Sequence, residues 1–83
     1  MSAPTNLEQL GLRVGERVRW RPRHGARWVE GHVTGRERDG SIGVRYPQGR
    51  ARALPLDRLE VRATGPRGAS TWEPAVDRAA RTE

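Results

Sequence analysis

The chain has 83 residues, with sixteen arginines and no lysine against ten acidic residues, and a net charge of +6 with both histidines neutral. A chain this short is one small domain that buries about 60 to 65% of its unfolded surface, which argues against an enzyme-sized core with a deep cleft. The lack of cysteine excludes a disulfide framework and a thiolate zinc site and makes the cytoplasm the expected compartment. No apolar run exceeds three residues, so no membrane span or signal-peptide core can be placed.

The use of arginine alone, with no Phe and a single Ile, is what codon bias in a GC-rich genome produces, and carries little functional weight. The excess charge carries more, because a folded domain with this balance attracts polyanions at long range. Between Arg13 and Arg62 thirteen arginines face Glu16, Glu30, Glu37, Asp39, Asp57 and Glu60, a local net charge of +7. Most of the large apolar residues occupy the same segment, so core and positive charge coincide.

In chain order, residues 1–12 form an amino-terminal arm. Thr5 or Asn6 can cap a helical turn through Leu7 to Leu10 that Gly11 stops. Residues 13–62 carry a period of two, the signature of half-buried strands. Val18 and Trp20 alternate with Arg17, Arg19 and Arg21 in the first strand. Residues 27–36 form a second, in which Gly31 and Gly35 predict a bulge or sharp bend. Asp39-Gly40 signals a hairpin into a third strand through Ile42, Val44 and Tyr46. Pro47 to Gly49 makes a turn into a fourth strand at Arg50 to Leu54. A tight helical turn over Pro55 to Leu59 precedes a fifth strand at Glu60 to Arg62. Five short strands in about fifty residues suit a small, strongly bent barrel, which leaves no sheet edge exposed. The remaining residues, 63–83, hold only Trp72 and Val76 as large apolar side chains and are expected to be a mostly disordered, flexible tail, with a short helix over 71–80 capped by Ser70 or Thr71.

The segments V-G-E-R-V-R-W at 14–20, W-V-E-G-H-V at 28–33, D-G-S-I-G-V-R-Y at 39–46 and A-L-P-L-D-R-L-E-V at 53–61 resemble the Src-homology-3-like small barrels, and within them the Tudor-like group. The last segment is similar to the turn and strand that close such barrels. The resemblance implies an all-β, five-stranded barrel. It also places Trp20, Trp28 and Tyr46 where Tudor-like readers of methylated lysine or arginine build an aromatic cage, and related barrels hold nucleic acid on a basic sheet face.

The basic candidates are Arg17, Arg19 and Arg21 on one strand face, at the roughly 6.5 to 7 Å repeat of alternate strand residues, close to the spacing of phosphates along a strand. Arg23 and Arg27 in the following loop and Arg45, Arg50 and Arg52 on the third and fourth strands extend the patch. Trp20, Trp28 and Tyr46 serve either as base-stacking platforms or as peptide-binding aromatics, against a simpler role in core packing that is favoured for Trp20 by its shared parity with Val18. His24, His32, Glu30 and Glu37 show no metal spacing, and Ser41 lacks a base and an orienting acid, so neither metal, cofactor nor catalysis is expected. The leading expectation is a non-enzymatic, monomeric module that binds DNA or RNA with low sequence specificity through arginine–phosphate contacts, without membrane association. The alternative is an adaptor that holds a peptide or an acidic protein partner through the barrel aromatics.

Overall fold

The computed structural model describes residues 7–82. Six strands, β1 (Arg17–Trp20), β2 (Val29–Arg36), β3 (Ile42–Arg45), β4 (Ala51–Leu54), β5 (Glu60–Thr64) and β6 (Ser70–Pro74), precede one helix, α1 (Ala75–Thr82). All neighbouring strands are antiparallel, in the order β4-β3-β2-β1-β5-β6. The sheet is not closed into a barrel. A short 3-10 turn, Leu56–Arg58, separates β4 from β5, and the expected five strands are joined by a sixth, so β4 and β6 are the edges.

Alternation in the sequence decides the two faces. Val18 and Trp20 of β1, Val33 of β2, Ile42 and Val44 of β3, Leu54 of β4 and Val61 of β5 form the core with Leu59 and Leu12. Complete burial of each aliphatic side chain contributes about 1.5–3 kcal/mol. Trp20 is the largest fully buried side chain, and it fits because Gly31 lies beneath it. A Cβ at Gly31 would stand 2.8 Å from the Trp20 ring and collide with the Arg45 carbonyl. The bend expected from the two glycines of β2 is present as a register shift between Val33 and Gly35.

Two of the hairpin connections follow directly from their sequences. Asp39 accepts hydrogen bonds from the Ser41 amide (2.9 Å) and hydroxyl (2.6 Å), and these bonds hold its carboxyl below the usual aspartate value. After β3, the Tyr46 amide donates to the Arg50 carbonyl at 2.7 Å and closes the turn through Pro47.

The carboxy-terminal segment departs from the expected flexible tail. Residues 70–74 pair with β5 in register, Arg62 opposite Trp72 and Ala63 opposite Thr71. The helix occupies Ala75–Thr82, later than expected, because Trp72 and Pro74 belong to the strand. What orders this segment is charge and backbone pairing, which its low apolar content hides. Arg78 ion-pairs with Glu16 at 3.0 Å and with Glu73 at 3.0 Å, and Arg81 pairs with Glu73 at 2.9 Å. The Ala75 amide donates to the Leu59 carbonyl at 3.0 Å, and the Ala75 side chain is buried.

Helix α1 packs against the 3-10 turn Leu7–Leu10, as well as against Leu56–Arg58. Gly11 ends the first of these turns at φ 71°, and a Cβ there would approach Arg78 Cγ at 2.9 Å. The expected cap at Thr5 or Asn6 lies outside the described residues. No helix is long and apolar enough to cross a membrane among the described residues.

Two outcomes follow. Trp20→Ala should cost about 3–5 kcal/mol in urea unfolding, because it empties the centre of the core. For Glu73, burial pushes the carboxyl up, but the hydrogen bonds and charges of Arg81 and Arg78 outweigh it and leave the group below its ordinary value of 4.5. The stabilisation is therefore complete above that value and lost as pH falls through the lower value of the folded state. Thermal unfolding followed at decreasing pH should show this loss in the native chain, and a flatter acid limb in Glu73→Gln.

Candidate nucleic-acid interface

The strand that buries Val18 and Trp20 must turn Arg17, Arg19 and Arg21 to the opposite face. Register then decides what each meets. Arg19 is opposite Glu60 of β5 and Glu30 of β2. Its Nε donates to Glu60 Oε1 at 2.7 Å, and its Nη2 lies 2.6 Å from the same oxygen. The Arg19 guanidinium also lies 4.0 Å from the centroid of the Trp28 ring and 4.9 Å from that of Trp72. Arg21 approaches Trp28 at 4.5 Å and Arg62 approaches Trp72 at 5.0 Å. Five side chains, Arg21, Trp28, Arg19, Trp72 and Arg62, thus form a continuous set of cation–ring contacts across the outer face. Each contact contributes about 0.5–1 kcal/mol where exposed.

This set changes the role of the expected phosphate ligands. Arg19 is half-buried and neutralised by Glu60, so it holds the surface together rather than offering a free charge. Arg17 remains exposed, with Glu30 no closer than 3.9 Å. Arg21, Arg23 and Arg27 are exposed, and no carboxylate pairs with them among the described residues.

The third and fourth strands contribute less than expected. Arg45 faces outward opposite His32, and its Nη1 donates to the Gly49 carbonyl at 2.7 Å. Arg50 lies over the Tyr46 ring at 5.0 Å. Arg52 is not on the outer face: it pairs with Val44, on the core side, and donates to the Tyr46 hydroxyl at 3.4 Å. That bond, with the nearby charges of Arg52 and Arg50, lowers the Tyr46 phenol from its ordinary value against the effect of burial.

The aromatics divide in the same way. Trp20 is fully buried and cannot stack on a base. Tyr46 is half-buried and meets the Trp20 ring edge-on at 5.2 Å. Trp28 is 37% exposed and is the aromatic of the three that reaches an open surface.

Beside Trp28 lies an open depression of about 720 Å³ lined also by Arg21, Arg23, His24, Arg58 and Asp57. The 3-10 turn carries Arg58 back to the end of β1, where its Nη2 donates to the Arg21 carbonyl at 2.6 Å. Arg58 escapes a strand-by-strand inspection of the sequence, because its partner is 37 residues away and no local pattern marks the contact. Trp72 and Arg62 are missed for the same reason. Three arginines lining one depression suit a phosphorylated ligand, because a guanidinium group can donate paired hydrogen bonds to phosphate oxygens.

Among the described residues no group of three histidines, aspartates or glutamates is placed to hold a metal ion. Comparison of the chain with protein-family models, curated proteins and solved structures found no match.

Proposed function

We propose that this chain is a small basic module that binds DNA or RNA with low sequence specificity, mainly through arginine contacts to phosphate. The observation that carries the proposal is the convergence of Arg21, Arg23 and Arg58 on one exposed depression beside Trp28, with Asp57 as the carboxylate among them. Arg27 in the same loop and Arg17 on the adjoining face extend the positive surface. Low specificity is expected because α1 is only eight residues long and its Arg78 and Arg81 are engaged with Glu16 and Glu73.

A kinship with the Tudor-like small barrels is part of the proposal. It is supported by the antiparallel run of β1 to β4 and by the 3-10 turn ahead of β5, where the resemblance places the turn before the closing strand. The peptide-adaptor alternative gains no comparable support. Trp20 is sealed in the core, while Trp28 and Tyr46 already carry guanidinium groups of this chain on their rings. The module is proposed to act as a cytoplasmic monomer, in line with the absence of cysteine.

If the four arginines at 21, 23, 27 and 58 each meet a phosphate of a single strand, affinity should fall with salt at a log–log slope of about −3. Fluorescence polarisation of a labelled oligonucleotide measures this slope. Replacing both Arg21 and Arg23 by Glu should weaken binding more than tenfold, whereas Arg52→Ala should leave it unchanged. Undiminished binding by the charge-reversed variant, or binding insensitive to salt, would contradict the proposal.

A further inference from the structure

The depression beside Trp28 contains a carboxylate that a plain phosphate site would not want. Asp57 is exposed on the 3-10 turn and lines the same surface as Arg21, Arg23 and Arg58. Although three arginines line this surface, Asp57 forms neither an ion pair nor a hydrogen bond among the described residues. Two of the three arginines also make contacts elsewhere, Arg58 to the Arg21 carbonyl at 2.6 Å and Arg21 to the Trp28 ring at 4.5 Å, while Arg23 has no acidic partner among the described residues. An ionised carboxylate accepts hydrogen bonds and donates none. Toward a ligand that is only an anion, Asp57 is a repulsive element. Toward a ligand that joins a phosphate to a nearby hydroxyl, it is the complement of the arginines.

Resting on the nucleic-acid reading above, we infer that this depression takes a ribonucleotide unit of a single strand, with phosphate on the arginines and the ribose 2′-hydroxyl donating to Asp57, so that RNA is preferred over DNA. The depression has the volume of small-molecule sites, about 300 to 1,000 Å³, which a nucleotide unit fits. The 2′-hydroxyl is present at every RNA position and absent from DNA, which makes it the donor that a sequence-tolerant module can use for discrimination. Trp28, whose ring carries the Arg19 and Arg21 guanidinium groups, borders the depression and holds Arg21 at its rim. Asp57 is thereby a specificity-determining residue, and the arginines supply most of the affinity.

The test compares oligouridylate with oligodeoxyuridylate of equal length by fluorescence polarisation at low salt. These probes share the base and differ in the 2′-hydroxyl. The native chain should prefer the ribose strand by about fivefold, as expected of one hydrogen bond at an exposed site. Asp57→Ala should bring the two affinities together, and should raise affinity for the deoxyribose strand because a negative charge is gone. Asp57→Asn keeps the shape of the side chain and an acceptor oxygen, and should retain part of the preference.

Equal binding of both strands by the native chain, or an undiminished preference in both variants, would overturn the inference while the basic-module reading stands. Binding of neither strand would overturn both.

Discussion

The Arg19 guanidinium is hydrogen-bonded to Glu60 and lies against both Trp28 and Trp72, and this set of contacts joins β1, β5, the loop before β2, and β6. Outside it, β6 is held by its ladder to β5 and by the ion pairs of Glu73. A lysine at position 19 would preserve the charge toward Glu60 but not the planar group that meets two rings. The contact set therefore does two things at once. It secures the carboxy-terminal strand on the sheet, and it fixes Trp28 beside the depression in which Arg21, Arg23 and Arg58 meet.

The arginines behind the net charge of +6 fall into two groups by partner. Arg19, Arg78 and Arg81 are committed to carboxylates within the chain, and Arg52 to the Tyr46 hydroxyl. These residues act as structural elements. Arg21, Arg23 and Arg27 have no acidic partner among the described residues and lie on or next to one surface. Arg13, Arg38, Arg45, Arg50, Arg62 and Arg67 are exposed and without an acidic partner among the described residues as well, so what sets the residues around Trp28 apart is that three arginines line one depression there. Arginine suits both duties, since its planar group can stack on a ring, bridge a carboxylate or grip a phosphate.

Much of the sheet is legible in the sequence because it depends on local rules. Alternation around Val18 and Trp20 fixes the faces of β1, and Asp39-Gly40 and Pro47 to Gly49 mark the two turns, while the glycines of β2 mark its bend. The half-buried position of Arg52 on the core side of β4 is legible too, since it shares parity with Leu54. The carboxy-terminal strand is not legible by composition, and the helix only in part, because the order of this segment comes from pairing with β5 and from ion pairs to Glu16, 62 residues from Arg78. Trp72 looks incidental in the linear sequence for the same reason, and Arg58 joins the candidate site through a contact between residues far apart in the chain. Local pattern thus reveals strands and turns, whereas the site depends on which distant side chains the register brings together.

In the proposed function, the charge that meets a nucleic acid is gathered around Trp28 and is not distributed over every arginine. Backbone amide shifts followed residue by residue, while a single-stranded oligonucleotide is titrated into the intact chain at low salt, test this most directly. Changes should be concentrated in residues 21–28 and 56–58, with β4 and α1 little affected. Changes centred on β4, the turn at 46–50 or α1, with residues 21–28 silent, would contradict it.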